Sequence, residues 1–143
     1  MMGKYKAIGH LTEIEEKDGI YVASRLYTFH KLDEIMRLLS DIGKVSEVEY
    51  AIGIGEAMIN DLHNGEVYEF TGRLSTSEKV LIKSLSKFYG SLKIKHGDAE
   101  YLIGIEKVLE NEDAYWVVIS TEHKNKEKAH KNLNKLLLEL ELY

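Results

Sequence analysis

The chain contains no cysteine, no proline and no glutamine. The lack of cysteine excludes disulfides, thiol nucleophiles and every metal site built on thiolate. The lack of glutamine, with charge carried by Glu and Lys more than by Arg, matches the composition of heat-adapted proteins. Proline-free loops point the other way. No apolar run approaches the roughly 20 residues that a membrane-spanning helix needs. The opening MMGKYKAIGHLTEIEEKDG has no apolar stretch of the kind that heads a secretory signal. A cytoplasmic protein without a membrane partner is therefore the expectation.

What is present suits one domain over 1–143. The 143 residues are 44% hydrophobic and 30% charged. A chain of this size buries roughly two-thirds of the surface it exposes when unfolded. The net charge of −5 disfavours general nucleic-acid binding. The charge is uneven. Residues 1–72 hold 7 basic and 13 acidic side chains, whereas residues 73–143 hold 12 and 11.

Three stretches share an order of turn, β-rich run and helix-like run, each entered near an Ile-Gly pair: Ile8-Gly9, Ile52-Gly53 and Ile103-Gly104. Asp18-Gly19 and Asn64-Gly65 are turn dipeptides suited to tight hairpins. Asn111-Glu112-Asp113 is a third, weaker turn. The flanking runs, Ile20–Val22 with Leu26 and Tyr27, Val67–Phe70, and Tyr115–Ile119, are rich in strand formers. The last is nearly continuous in apolar residues and predicts a central strand covered on both faces.

Leu32, Ile35, Met36, Leu39 and Ile42 form one helical stripe, and Gly43 stands where a left-handed cap would end it. Ser75 and Glu78 have capping-box spacing. They open a second helix with Leu81, Leu85, Phe88 and Tyr89 inward and Gly90 as its stop. A third helix runs from about Asn125, with Ala129, Leu133, Leu136, Leu137 and Leu140 inward. Leu92 and Ile94 alternate with Lys93 and Lys95, which adds a half-buried strand before the turn His96-Gly97-Asp98. The fold expected is α+β, a mainly antiparallel sheet with about three helices, in the order ββ-α-ββ-α-βββ-α.

From Leu32 onward the segments LDEIMRLLSDIG, YAIGIGEAMI, EVYEFTGRL, STSEKVLIKSLSKFYG, SLKIK, YLIGIEKVL, AYWVVISTE and KNKEKAHKNLNKLLLEL follow in an order that resembles the roadblock/dynein-light-chain family. The resemblance covers residues 31–142 and leaves 1–30 as an N-terminal hairpin extension. The run from Tyr50 to Gly65 is longer than the tight turn usual in that family. The resemblance implies a non-catalytic platform that forms dimers, here a homodimer, through sheet edges and second helices. It also implies a small Ras-like GTPase as partner, with no cofactor bound by the domain itself.

No motif for catalysis or metal binding stands out. Gly53-Ile54-Gly55 lies within a strand-like run, whereas a phosphate-cradling loop opens a helix. His123 and His130 are seven apart, too far for one ion on a helix, so geometry favours two solvated histidines. Ser120-Thr121-Glu122-His123 combines the residue types of a nucleophile site without any elbow pattern. Asp33-Glu34 suit the start of a helix dipole. The most suggestive surface feature is a pair of lysine stripes: Lys79, Lys83 and Lys87 on the second helix, and Lys124, Lys128, Lys131 and Lys135 on the third. Each is a solvated helix face or a contact for an acidic partner. No aromatic residues interleave with them to stack single-stranded bases. An interaction module is the favoured reading. Its alternatives are a sheet gripping a small apolar ligand and a nucleic-acid binder using the lysines.

Overall fold

The computed structural model of the chain describes residues 5–52, 89–107 and 114–142. Its elements are β1 (Ile8–Gly9), β2 (Glu13–Lys17), β3 (Ile20–Phe29), α1 (Leu32–Val45), β4 (Glu47–Ile52), β5 (Tyr89–His96), β6 (Ala99–Lys107), β7 (Tyr115–His123) and α2 (Lys126–Glu139). The seven strands form one sheet in the order β1-β3-β7-β6-β5-β4, with β2 also paired to β3. Every pairing is antiparallel. The α+β class expected from the sequence is the class observed.

Local chemistry accounts for most elements. Asp18 and Gly19 both take positive φ, 54° and 81°, the combination a type I′ hairpin needs. They join Lys17 to its partner Ile20. Gly97, at φ 62°, turns β5 into β6. In α1 the residues Leu32, Ile35, Met36, Leu38, Leu39 and Ile42 are buried, a continuous stripe at helical spacing. Asp33 and Glu34 stand in its first turn and Lys44 in its last, each sign where the helix dipole favours it. In α2 the inward residues are Ala129, Leu133, Leu136 and Leu137. Asn125 Oδ1 caps it by accepting from the Lys128 N–H at 3.1 Å.

Strand parity shows where the core lies. Ala23, Tyr27 and Phe29 of β3, Leu92 and Ile94 of β5, Tyr101, Ile103 and Ile105 of β6, and Tyr115, Val117 and Ile119 of β7 are all buried. The register aligns them: Tyr27 with Val117, Val117 with Ile105, Ile103 with Leu92. They therefore share one face of the sheet, and they form one cluster with the buried residues of α1 and α2. Both helices lie on that face.

Four expectations are corrected. The described residues hold two helices, not three; the expected helix from Ser75 falls outside them. Its last two residues do not. Tyr89 and Gly90 belong to β5, with Gly90 opposite Ile105, so Gly90 is no helix stop. Gly43 lies inside α1, which continues to Val45 and ends at Ser46. The Ser46 N–H and hydroxyl both donate to the Ile42 carbonyl, at 3.0 and 2.5 Å, so no left-handed residue is required. Finally, β7 is central in the sheet but is not covered on both faces. Tyr115, Val117 and Ile119 are buried, while Trp116 is 42% and Val118 38% exposed. The expected strand Val67–Phe70, the Asn64-Gly65 and Asn111–Asp113 turns and Gly53-Ile54-Gly55 lie outside the described residues.

Candidate functional site

Opposite the helices, the sheet presents a second face. Its central row runs Leu26, Val118, Gly104, Ser91 across β3, β7, β6 and β5. The flanking rows place Thr28, Trp116 and Glu106 on one side and Ser24, Ser120, Leu102 and Lys93 on the other. A half-solvated antiparallel sheet ordinarily alternates apolar inward with polar outward. Here Leu102, Trp116 and Val118 stand outward, with Leu102 49% exposed. They surround a hollow of about 280 Å³ floored at Gly104, which has no side chain to fill it.

A larger cleft, about 590 Å³, opens at one end of the sheet. There β6 and β7 separate beyond the pair Tyr101–Thr121, β6 continuing with β5 and β7 with β3. Asp98, Glu100 and Glu122 line it beside Lys93 and His123. Lys93 Nζ lies 3.3 Å from Glu100 and 3.5 Å from Glu49, and these carboxylates hold its ammonium pKa above the usual value. His123 Nδ1 accepts from the Asn125 N–H at 2.8 Å. The Thr121 hydroxyl donates to the Glu100 carbonyl at 2.7 Å. The Tyr101 hydroxyl donates to the Asn132 carbonyl at 2.8 Å, and burial, helped by Glu139, pushes its pKa up to about 12. It therefore has no proton to exchange near neutrality.

The sequence-derived candidates separate in space. Ser120 and Glu122 stand on the open face, Thr121 and His123 on the other, as strand alternation requires. Ser120 Oγ faces the Leu102 carbonyl at 3.5 Å, and alternation along β7 puts His123 on the opposite face. His123 ends β7, whereas His130 is an exposed residue of α2. Among the described residues no group of three or more His, Asp or Glu is placed to hold a metal ion. Lys124, Lys128, Lys131 and Lys135 are all exposed, and none has an acidic partner among the described residues. Lys79, Lys83 and Lys87 lie outside the described residues.

Two features escaped the sequence reading. One is the open apolar face, hidden because Tyr115–Ile119 is apolar at every position and shows no alternation. The other is a clasp between His96 Nε2 and Glu139 Oε2 at 2.8 Å, which ties the β5 end to α2 across 43 residues. No helix among the described residues is long and apolar enough to cross a membrane. Comparison with protein-family models, with curated proteins and with solved structures finds no match.

Proposed function

We propose that this domain is a non-catalytic interaction module that self-associates through the open face of its sheet. The observation that carries the reading is the outward apolar trio Leu102, Trp116 and Val118 at the centre of that face. Tryptophan set among aliphatic residues is the composition of interface anchors. Lys93, Glu49 and Glu100 form a charged network to one side, as an interface rim does.

A second copy suits the dimensions. Five strands at about 4.8 Å spacing and eight residues at about 3.3 Å give a face of roughly 600 Å². Two such faces bury about 1,200 Å², the lower end of the specific-interface range. The sheet edges serve pairing less well. β2 carries Glu13, Glu15 and Glu16, and β4 has a register shift between Val48 and Tyr50; charge and bulges both blunt an edge. The roadblock resemblance remains the source of a finer version, a homodimeric platform for a small Ras-like GTPase.

Sedimentation equilibrium tests the reading. The wild-type chain is expected to dimerise at micromolar concentrations. Val118→Glu and Leu102→Glu, which place a carboxylate in the apolar centre, are expected to weaken dimerisation by about tenfold or more. A wild-type monomer at high micromolar concentration, or a dimer indifferent to both substitutions, would refute it.

A further inference from the structure

The two helices place their charges in opposite ways. α1 has acids in its first turn and a lysine in its last, the arrangement that the helix dipole rewards. α2 inverts this. Lys126 and Lys128 stand at its start, Lys124 just ahead of them, and its last turn holds no basic residue. Glu127 is the one acid of its first turn. Cations at a helix N-terminus oppose the dipole. A breach of a local stability rule marks positions held for another purpose.

The stripe also has a defined shape. Within α2, Lys128, Lys131 and Lys135 follow at i, i+3 and i+7, one line along the side turned away from Ala129, Leu133 and Leu136, and Lys124 precedes the N-cap Asn125. Three residues further on the same line is Leu138, 60% exposed. The line is thus three ammonium groups, with Lys124 just ahead of the helix, that have no acidic partner among the described residues, and it ends in an exposed apolar side chain.

We infer that this line is a docking surface for an acidic protein segment: a helix with carboxylates repeating at i, i+3 and i+7 to match Lys128, Lys131 and Lys135, followed by an apolar residue that covers Leu138. Such a helix matches the rise between the lysines. A nucleic-acid backbone fits less well. The chain is acidic overall, at −5, the line has no aromatic residue to stack a base, and a backbone offers nothing to Leu138. The surface is separate from the open sheet face, so the two proposals stand or fall apart.

The test uses the full chain and two labelled probes read by fluorescence anisotropy. One is a helical peptide with glutamates at that spacing followed by leucine; the other is a single-stranded DNA of equal length. Lys124→Glu/Lys128→Glu/Lys131→Glu is compared with Lys6→Glu/Lys17→Glu/Lys31→Glu, which changes net charge equally elsewhere. The stripe variant is expected to lose about tenfold or more in peptide affinity and the control to stay within about twofold. Because its new charges suit the dipole, the stripe variant is expected to melt no lower than the wild type. Equal loss in the two variants, no loss in the stripe variant, tighter binding of the DNA, or a lower melting temperature for the stripe variant would each overturn the inference.

Discussion

Two tyrosines on the covered face form a matched pair, and the same substitution at each should act with opposite sign. Tyr27 is 1% and Tyr101 2% exposed. The Tyr101 hydroxyl donates to the Asn132 carbonyl at 2.8 Å, whereas the buried Tyr27 hydroxyl makes no hydrogen bond of good geometry among the described residues and has the Arg25 guanidinium as its polar neighbour. Arg25 meets the Tyr27 ring, its guanidinium carbon 5.1 Å from the centroid, and burial raises the Tyr27 pKa against the smaller opposing pull of that guanidinium. Tyr101→Phe removes a bond worth about 1 kcal/mol net, while Tyr27→Phe relieves a desolvation cost of about 1–3 kcal/mol. The two variants should therefore differ by about 2–4 kcal/mol. For a chain of this size that is roughly 10 °C in melting temperature. Guanidinium unfolding followed by circular dichroism measures both. Destabilisation by Tyr27→Phe of more than about 0.5 kcal/mol would refute the reasoning, because the unpaired hydroxyl would then be contributing rather than costing.

Tyr101 also sets an alkaline limit. Its folded pKa of about 12 lies above the ordinary value of 10.0, so the stability it contributes is complete below pH 10 and is lost as pH rises through about 12. Tyr5 and Tyr27 are raised in the same direction. Ultraviolet titration of phenolate should show the Tyr101 component late, and Tyr101→Phe should remove it; a normal titration of that component would contradict the burial argument. Leu39, fully buried on α1, should cost about 2–5 kcal/mol when replaced by Ala, and a cost under about 1 kcal/mol by calorimetry would place α1 outside the core.

The open sheet face and the lysine line differ in how they relate to stability. Exposed Trp116, Val118 and Leu102 leave apolar area unburied in the isolated chain, which the proposed association would recover. Lys126 and Lys128 in the first turn of α2 oppose the helix dipole, and a carboxylate bound there, as proposed, would relieve that conflict. One surface is read by concentration and the other by ionic strength, since apolar burial is little affected by the salt that screens exposed charges.

Features that depend on near neighbours were legible along the chain. The stripe of α1, the inward residues of α2, the Asp18-Gly19 turn and the alternation of Leu92 and Ile94 with Lys93 and Lys95 all lie where periodicity and turn chemistry put them. The exposed lysines Lys124, Lys128, Lys131 and Lys135 were legible for the same reason, because a helix face follows from spacing alone. Tertiary structure decided what depends on distant partners. Tyr89 and Gly90 became strand because β6 pairs with them along its length. β3 became an interior strand because β7 runs beside it for nine registered pairs. The run Tyr115–Ile119 has no alternation to read, so the outward orientation of Trp116 and Val118 came only from the register with β3 and β6 and from both helices lying on one side of the sheet. A continuous apolar strand suits burial on either face, and only the placement of the helices distinguishes the buried side from the open one.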